Sequence, residues 1–273
     1  MGREVKVVIL GCGYTGKRVA ARFLERGAAV MVTARDAAGL QDLAKQGAEV
    51  ISLDAGAASQ VTIPRGALVL HSIPVIDTLA GPREMTAQLI ARFTAEPVRM
   101  VYLSTTGVYG AQRDVDAATP PAAATERELL RLEGEDAVQG GPWSSLVLRP
   151  AAIYGPGRGV HVAMQSGRFQ LAGHGDNFVS RIHVEDLATH VEAALLSDVT
   201  GAYPVGDELP CTSREIAEYC ARLLNVPMAP AASPGALHET RRADRRVDGR
   251  AIRECLGITL RYPTYREGIP ASL

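Results

Sequence analysis

The stretch Val5-Lys6-Val7-Val8-Ile9-Leu10-Gly11-Cys12-Gly13-Tyr14-Thr15-Gly16, running on into Lys17 to Arg26 (KRVAARFLER), decides the fold. Val5 to Leu10 is a short, β-branched apolar run, the pattern of a buried parallel strand, and Lys17 to Arg26 carries apolar residues at helical spacing. Between them, Gly11 permits a tight turn, Gly13 lets a ligand's pyrophosphate approach the backbone, and Gly16 allows close packing of the helix. The helix start supplies amide donors for an anion. Strand, glycine turn and helix together predict a dinucleotide site at Gly11, Gly13, Tyr14, Thr15 and Gly16. The alternative is a glycine turn of purely structural use.

The next strand, Ala29 to Thr33, should end at the adenosine ribose, where a cofactor without a 2′-phosphate is met by Asp or Glu. Here the chain reads Thr33-Ala34-Arg35. A guanidinium offers a planar, permanently charged fork of donors that suits a 2′-phosphate, so NADP(H) is favoured over NAD(H). Asp36 is the counter-signal, because a shift of one residue would bring its carboxylate to the ribose. Arg35 could instead be a solvated loop residue.

Outward from this motif, strands and helices alternate. Glu49 to Leu53, Ala67 to Ser72, Arg99 to Ser104 and Ser145 to Leu148 read as strands, and Arg83 to Phe93 and Thr125 to Val138 as amphipathic helices. This is the rhythm of an α/β Rossmann-type doubly wound parallel sheet. Residues 1–154 are expected to form the nucleotide domain, its sheet completed by segments near 178–205, and 155–273 mainly a small C-terminal substrate-binding lobe. Ligands bind such sheets at the carboxyl ends of the strands, which places Asp54, Ser72, Ile73, Pro74, Ser104 and Thr105 near the crevice, Asp54 facing the adenine. His71, inside an apolar strand, reads as a satisfied core histidine.

The composition excludes several classes. The chain has 273 residues, 47% of them hydrophobic, and a net charge of −1, the profile of a globular protein rather than of a nucleic-acid binder. No apolar run is long enough for a membrane span and no signal-peptide core precedes the first strand, so a cytoplasmic protein, monomer or homodimer, is expected. Cys12, Cys211, Cys220 and Cys255 lack metal-ligand spacing, predicting reduced thiols and no metal. Three lysines stand against twenty-six arginines, with none after Lys45.

Three later motifs carry a resemblance. Thr105-Thr106-Gly107-Val108-Tyr109-Gly110, Leu148-Arg149-Pro150 with Ile153-Tyr154-Gly155-Pro156-Gly157, and Arg181-Ile182-His183-Val184-Glu185-Asp186-Leu187-Ala188 together resemble the extended short-chain dehydrogenase/reductase superfamily, within it the NAD-dependent epimerase/dehydratase proteins. The tail agrees in Tyr203 to Asp207, Thr212 to Leu224 and Leu260 to Gly268. The resemblance implies cofactor contacts from Arg149, Pro150, Ala151 and Ile153, a Thr105 hydroxyl on the reacting oxygen, and a mainly structural Tyr109 for which a direct acid or base role is the minor alternative.

The family's tyrosine and lysine, spaced Tyr-x-x-x-Lys-x-x-x-Glu on a helix, have no counterpart. Aligning the pattern's glutamate with Glu133 puts Thr125 at the tyrosine and Leu129 at the lysine. A threonine hydroxyl is too weak an acid to replace a lysine-tuned phenol. Three readings follow: an NADP(H)-dependent oxidoreductase on a small carbonyl or sugar-like substrate, with Thr105 and substrate or water managing the proton and Thr125 a weaker candidate; a nucleotide-sugar epimerase or dehydratase; or a non-enzymatic NADP(H)-binding sensor. The small-molecule substrate is expected against Thr106, Tyr154, Arg158, His161 and Arg181, with Arg168 and His174 nearby. Arg181 would suit an anion or would pair with Glu185 or Asp186. His183 reads as a helix-start residue, and Arg241 to Arg246 as a solvated loop.

Overall fold

The computed structural model describes residues 5–57, 59–233 and 244–273. Seven strands form one sheet in the spatial order Glu49–Ser52, Ala29–Ala34, Lys6–Leu10, Leu68–His71, Arg99–Leu103, Ser144–Pro150 and Gly201–Val205. The first six pair in parallel, with Val8 opposite Met31 and Val69, and Leu70 opposite Val101. The order reverses direction at Lys6–Leu10, so the glycine turn leaves the sheet at its topological switch point, where an α/β sheet opens a crevice. This is the Rossmann-type architecture expected from the alternation of elements.

Contacts divide the chain into two compact units. The first takes everything up to Val108, then Ala123–Arg149 and Ala188–Ala202; the second takes Tyr109–Ala122, Pro150–Leu187 and Tyr203 onward. The sequence reading placed its boundary after residue 154 and returned segments near 178–205 to the sheet; contacts change hands at Arg149, return Ala188–Ala202 to the first unit and send Tyr109–Ala122 to the second. In the first unit Val8, Leu10, Met31, Val69, Met100, Tyr102 and Val147 share one apolar cluster with Leu89 and Val138 from the covering helices. In the second, Tyr154, Met164, Leu171, Cys211, Ile216, Cys220, Tyr265 and Ile269 form another.

One element departs from the sequence pattern. The amphipathic stretch Arg83 to Phe93 yields a hairpin, Ile76–Thr78 with Gly81–Arg83, and then a helix only five residues long, Thr86–Ile90. Gly81 takes the turn at φ +109, a conformation open to glycine. Glu84 then starts the helix, its carboxylate accepting the N–H groups of Met85 and Thr86 at 2.9 Å each.

Candidate active site

The glycine turn is built as a cradle. Gly11 has φ +81, and a Cβ there would stand 2.9 Å from the Ile73 nitrogen and 2.8 Å from its Cγ1, so only glycine fits. Its N–H donates to Thr33 Oγ1 at 3.1 Å, its carbonyl accepts from Ser72 Oγ at 3.1 Å, and the Cys12 N–H reaches the Thr33 carbonyl. A Cβ on Gly16 would press on Ile9 at 3.1 Å, so this glycine lets helix Tyr14–Glu25 sit close on the first strand. Gly13 meets nothing nearer than 4.0 Å and is exposed. That helix has no side-chain cap and no acidic residue in its first turn, so its N-terminal amides face the open side of the turn. The open Gly13 backbone and the uncapped helix start suit the charge of a pyrophosphate. Thr15 is buried, Tyr14 lies under the Arg18 guanidinium at 4.4 Å, and burial raises the Cys12 thiol to about 12, leaving it inert.

At the end of the second strand, the Asp36 carboxylate accepts the Ala38 N–H at 2.9 Å and caps the short 3₁₀ turn Ala37–Leu40. Arg35 is exposed. The Lys17 ammonium lies 3.9 Å from the place a Gly39 Cβ would take, on the same side as this loop. Asp54 is exposed and turned on its own loop, accepting the Gly56 N–H at 2.9 Å. Pro74 is exposed beside the half-buried Ser72 and Ile73.

Behind the crevice lies a buried polar network that the sequence reading had only in part. His71 is 1% exposed, and both ring nitrogens are used: Nδ1 accepts the Ile73 N–H at 3.3 Å, so Nε2 donates to Thr86 Oγ1 at 2.9 Å. Burial beside Arg131 lowers its pKa to about 3, so it is the neutral core histidine expected. Thr86 donates in turn to Glu84, whose other oxygen accepts the Tyr102 hydroxyl at 3.3 Å. Burial pushes that phenol up to about 12. Ser104 donates to Glu135 at 2.5 Å, and Glu135 holds Arg149 through Nε at 3.1 and 3.2 Å and Nη2 at 2.6 Å. Arg149 is thus held in a buried ion pair. Thr105 is half-buried, and its Oγ1 accepts the Gly107 N–H at 3.1 Å, leaving its hydroxyl proton uncommitted among the described residues.

Helix Glu126–Gln139 turns Glu135 inward and leaves Glu133, on which the alignment was made, at the surface. Glu133 is exposed and Leu129 is 49% exposed, whereas the buried residues are Arg131, Gly134, Glu135 and Val138. Thr125 is the N-cap, taking the Glu128 N–H while Glu128 takes the Thr125 N–H, so its hydroxyl starts the helix instead of facing a substrate. The Thr-x-x-Glu spelling carried that signal. Counting the same spacing back from the buried Glu135 instead of Glu133 leads to Arg127 and Arg131 in place of Thr125 and Leu129. Arg127 pairs with Asp77 at 2.6 Å and donates to the Val75 carbonyl at 3.1 Å.

Apart from Thr106, the remaining candidates lie in the second unit, most of them packed into it. Tyr109 is fully buried, and Pro150, Ala151 and Ile153 enter the segment leading to Tyr154, with Ala151 donating to the Val205 carbonyl at 2.8 Å. Tyr154 is 3% exposed, its hydroxyl reaching the Thr264 carbonyl at 3.4 Å across Gly268. Arg181 is buried and donates to the Val179 carbonyl at 2.8 Å and Cys211 Sγ at 3.1 Å, which turns it inward instead of toward a substrate. His161 is buried as well, while Arg158 is exposed in a tight turn with Gly155. Thr106 opens the 3₁₀ turn Thr106–Tyr109. His183 Nδ1 accepts the Glu185 N–H at 3.2 Å and so begins helix Val184–Leu195. A cleft of about 570 Å³ in this unit is lined by Asp114, Asp116, Asp207, Arg246, Arg250 and Arg253, among others. Arg241 and Arg242 lie outside the described residues.

The four cysteines are free, and no group of three metal-binding side chains occurs among the described residues. No helix among them is long and apolar enough to cross a membrane. Strand order, glycine cradle and uncapped helix start define the class of the fold: a doubly wound, Rossmann-type α/β architecture.

Comparison with known proteins places it further. No family model matches the chain. It is 32% identical over 206 residues to a 3-diazoavenalumate denitrifying reductase from a Streptomyces species; the match takes in 70% of this chain and spans 65% of that relative's length. A functionally unknown conserved protein from Silicibacter pomeroyi DSS superposes with a TM-score of 0.79 at 28% identity, covering 98% of each chain. UDP-glucuronic acid 4-epimerase from Bacillus cereus, in complex with UDP-glucuronic acid and NAD, superposes with a TM-score of 0.78 at 15% identity, again over 98% of each chain. The architecture is therefore one in which a neighbour holds NAD.

Proposed function

We propose that this chain is an NADP(H)-dependent oxidoreductase acting on a small carbonyl or sugar-like substrate. The observation that carries the reading is the Gly11 cradle, closed against Ile73 and open at Gly13 beneath an uncapped helix start. The 2′-phosphate preference rests on Arg35, exposed at the strand end, and on Asp36, whose Oδ1 caps the turn by accepting the Ala38 N–H. The nicotinamide would supply or accept a hydride, which needs alignment more than a protein nucleophile. The Thr105 hydroxyl would donate a hydrogen bond to the reacting oxygen, and water or a substrate group would supply or take the proton. That the Streptomyces relative is named a reductase supports this chemistry.

The epimerase neighbours favour a second reading, in which the substrate is a nucleotide sugar. Against it stands helix Glu126–Gln139, which offers neither tyrosine nor lysine. That same absence is what favours a sensor without catalysis. Titrating the protein with NADPH and NADH by calorimetry, then following nicotinamide absorbance with ketones, imines and nucleotide sugars, separates the three. NADPH binding with net oxidation by a ketone or imine supports the oxidoreductase. Conversion of a nucleotide sugar without net cofactor oxidation supports the epimerase, and binding with no turnover the sensor.

A further inference from the structure

Arg131 lies four residues before Glu135, so the two share the buried face of one helix. Its side chain is 10% exposed, and all its polar contacts fall on one nitrogen. Nη1 donates to the Tyr102 hydroxyl at 2.6 Å and the Ile73 carbonyl at 3.2 Å, with the Glu84 carboxylate at 3.7 Å. Among the described residues, Nε and Nη2 have no partner. A guanidinium is a rigid fork of five donors, and Nε and Nη2 of Arg131 are not among the buried atoms left without a partner, so this edge reaches accessible space where a ligand can meet it. The uncommitted edge therefore points to a ligand bearing neighbouring oxygens. Its place narrows the choice, because Ile73, which moors the guanidinium, is the residue that closes against Gly11.

We propose that Arg131 is the cofactor-positioning cation of this chain, its Nε–Nη2 edge donating to the ribose hydroxyls on the nicotinamide half of NADP(H). The inference rests on the cofactor reading above. In this role the guanidinium takes over the holding function of the lysine in the related pattern but not its proton chemistry, since an arginine stays charged throughout the working pH range. Arg127, the other arginine reached by that spacing, is occupied by Asp77 and the Val75 carbonyl. Helix Glu126–Gln139 thus grips a cofactor and supplies no acid.

The test compares NADPH with 2′,5′-ADP, which carries the adenosine half alone, by calorimetric titration of the wild-type protein, Arg131→Met and Arg131→Lys. Arg131→Met should weaken NADPH about tenfold or more, the loss expected for a charged hydrogen bond, and leave 2′,5′-ADP unchanged. Arg131→Lys should recover part of the NADPH affinity, because an ammonium still donates. If Arg131→Met does not fold, Arg131→Lys decides alone, with a selective but smaller NADPH loss expected. Unchanged NADPH affinity, or equal losses for both ligands, overturns the inference while leaving the cofactor reading intact. Failure of the wild-type protein to bind either ligand removes the cofactor reading, and this inference with it.

Discussion

Replacing Arg149 by methionine would leave the Glu135 carboxylate buried with the Ser104 hydroxyl in place of its guanidinium. The two side chains are 7% and 2% exposed, and Nε and Nη2 of Arg149 lie 2.6 to 3.2 Å from the two carboxylate oxygens. Removing one member of such a buried pair costs about 3–5 kcal/mol, because the charge left behind has lost its water as well as its partner. At about 2–4 °C per kcal/mol for a chain of this size, the melting temperature should fall by about 6–20 °C. The double variant Arg149→Met with Glu135→Leu removes the orphaned charge too and should recover most of the loss, since an apolar replacement of a whole pair is often neutral. Urea denaturation of the two single variants and the double completes the cycle. Single losses no larger than about 0.5 kcal/mol, the range of surface substitutions, would refute the buried-pair reasoning. A double variant as damaged as the sum of the singles would do the same.

Gly11→Ala should cost about 2–5 kcal/mol, from the left-handed backbone and the contact with Ile73, and should lower NADPH affinity; thermal melting and calorimetry check both, and a neutral variant would contradict the cradle. Arg35→Glu should weaken NADPH by about ten- to a hundredfold with little change for NADH, and unchanged selectivity would remove the 2′-phosphate assignment. Thr105→Ala should lower turnover without altering cofactor affinity, with Thr105→Ser restoring it; full activity in the alanine variant would exclude the hydroxyl from the reaction. Asp207 supplies a pH test: burial, opposed by Arg181 and Arg253, raises its carboxyl to about 7, with one oxygen unpartnered. As pH rises from about 4 to about 7 the unfolded chain ionises this group while the fold keeps it protonated, so stability falls across that window. Asp207→Asn should flatten the slope in denaturation curves, and an identical slope would show that the carboxyl titrates normally.

The sequence by itself determined the sheet and the start of the site. Val5 to Gly16 carries strand, turn and helix start within one contiguous stretch, so no distant partner is needed to read it, and the β-branched runs mark the buried strands because both faces of a parallel sheet are covered. The core role of His71 was legible for the same reason. Local spacing also held a capping box at Thr125 and Glu128 that was read as part of a catalytic pattern. Only the tertiary structure decided which face of helix Glu126–Gln139 turns inward. Periodicity defines a helix but leaves its rotation to what it packs against, and here Ser104, just past the end of one strand, and Arg149, on another, select Glu135 over Glu133. The same contacts bring Arg131 to Ile73 and Tyr102. The inward turn of Arg181 and the engagement of Asp36 also depend on partners that the local pattern does not specify.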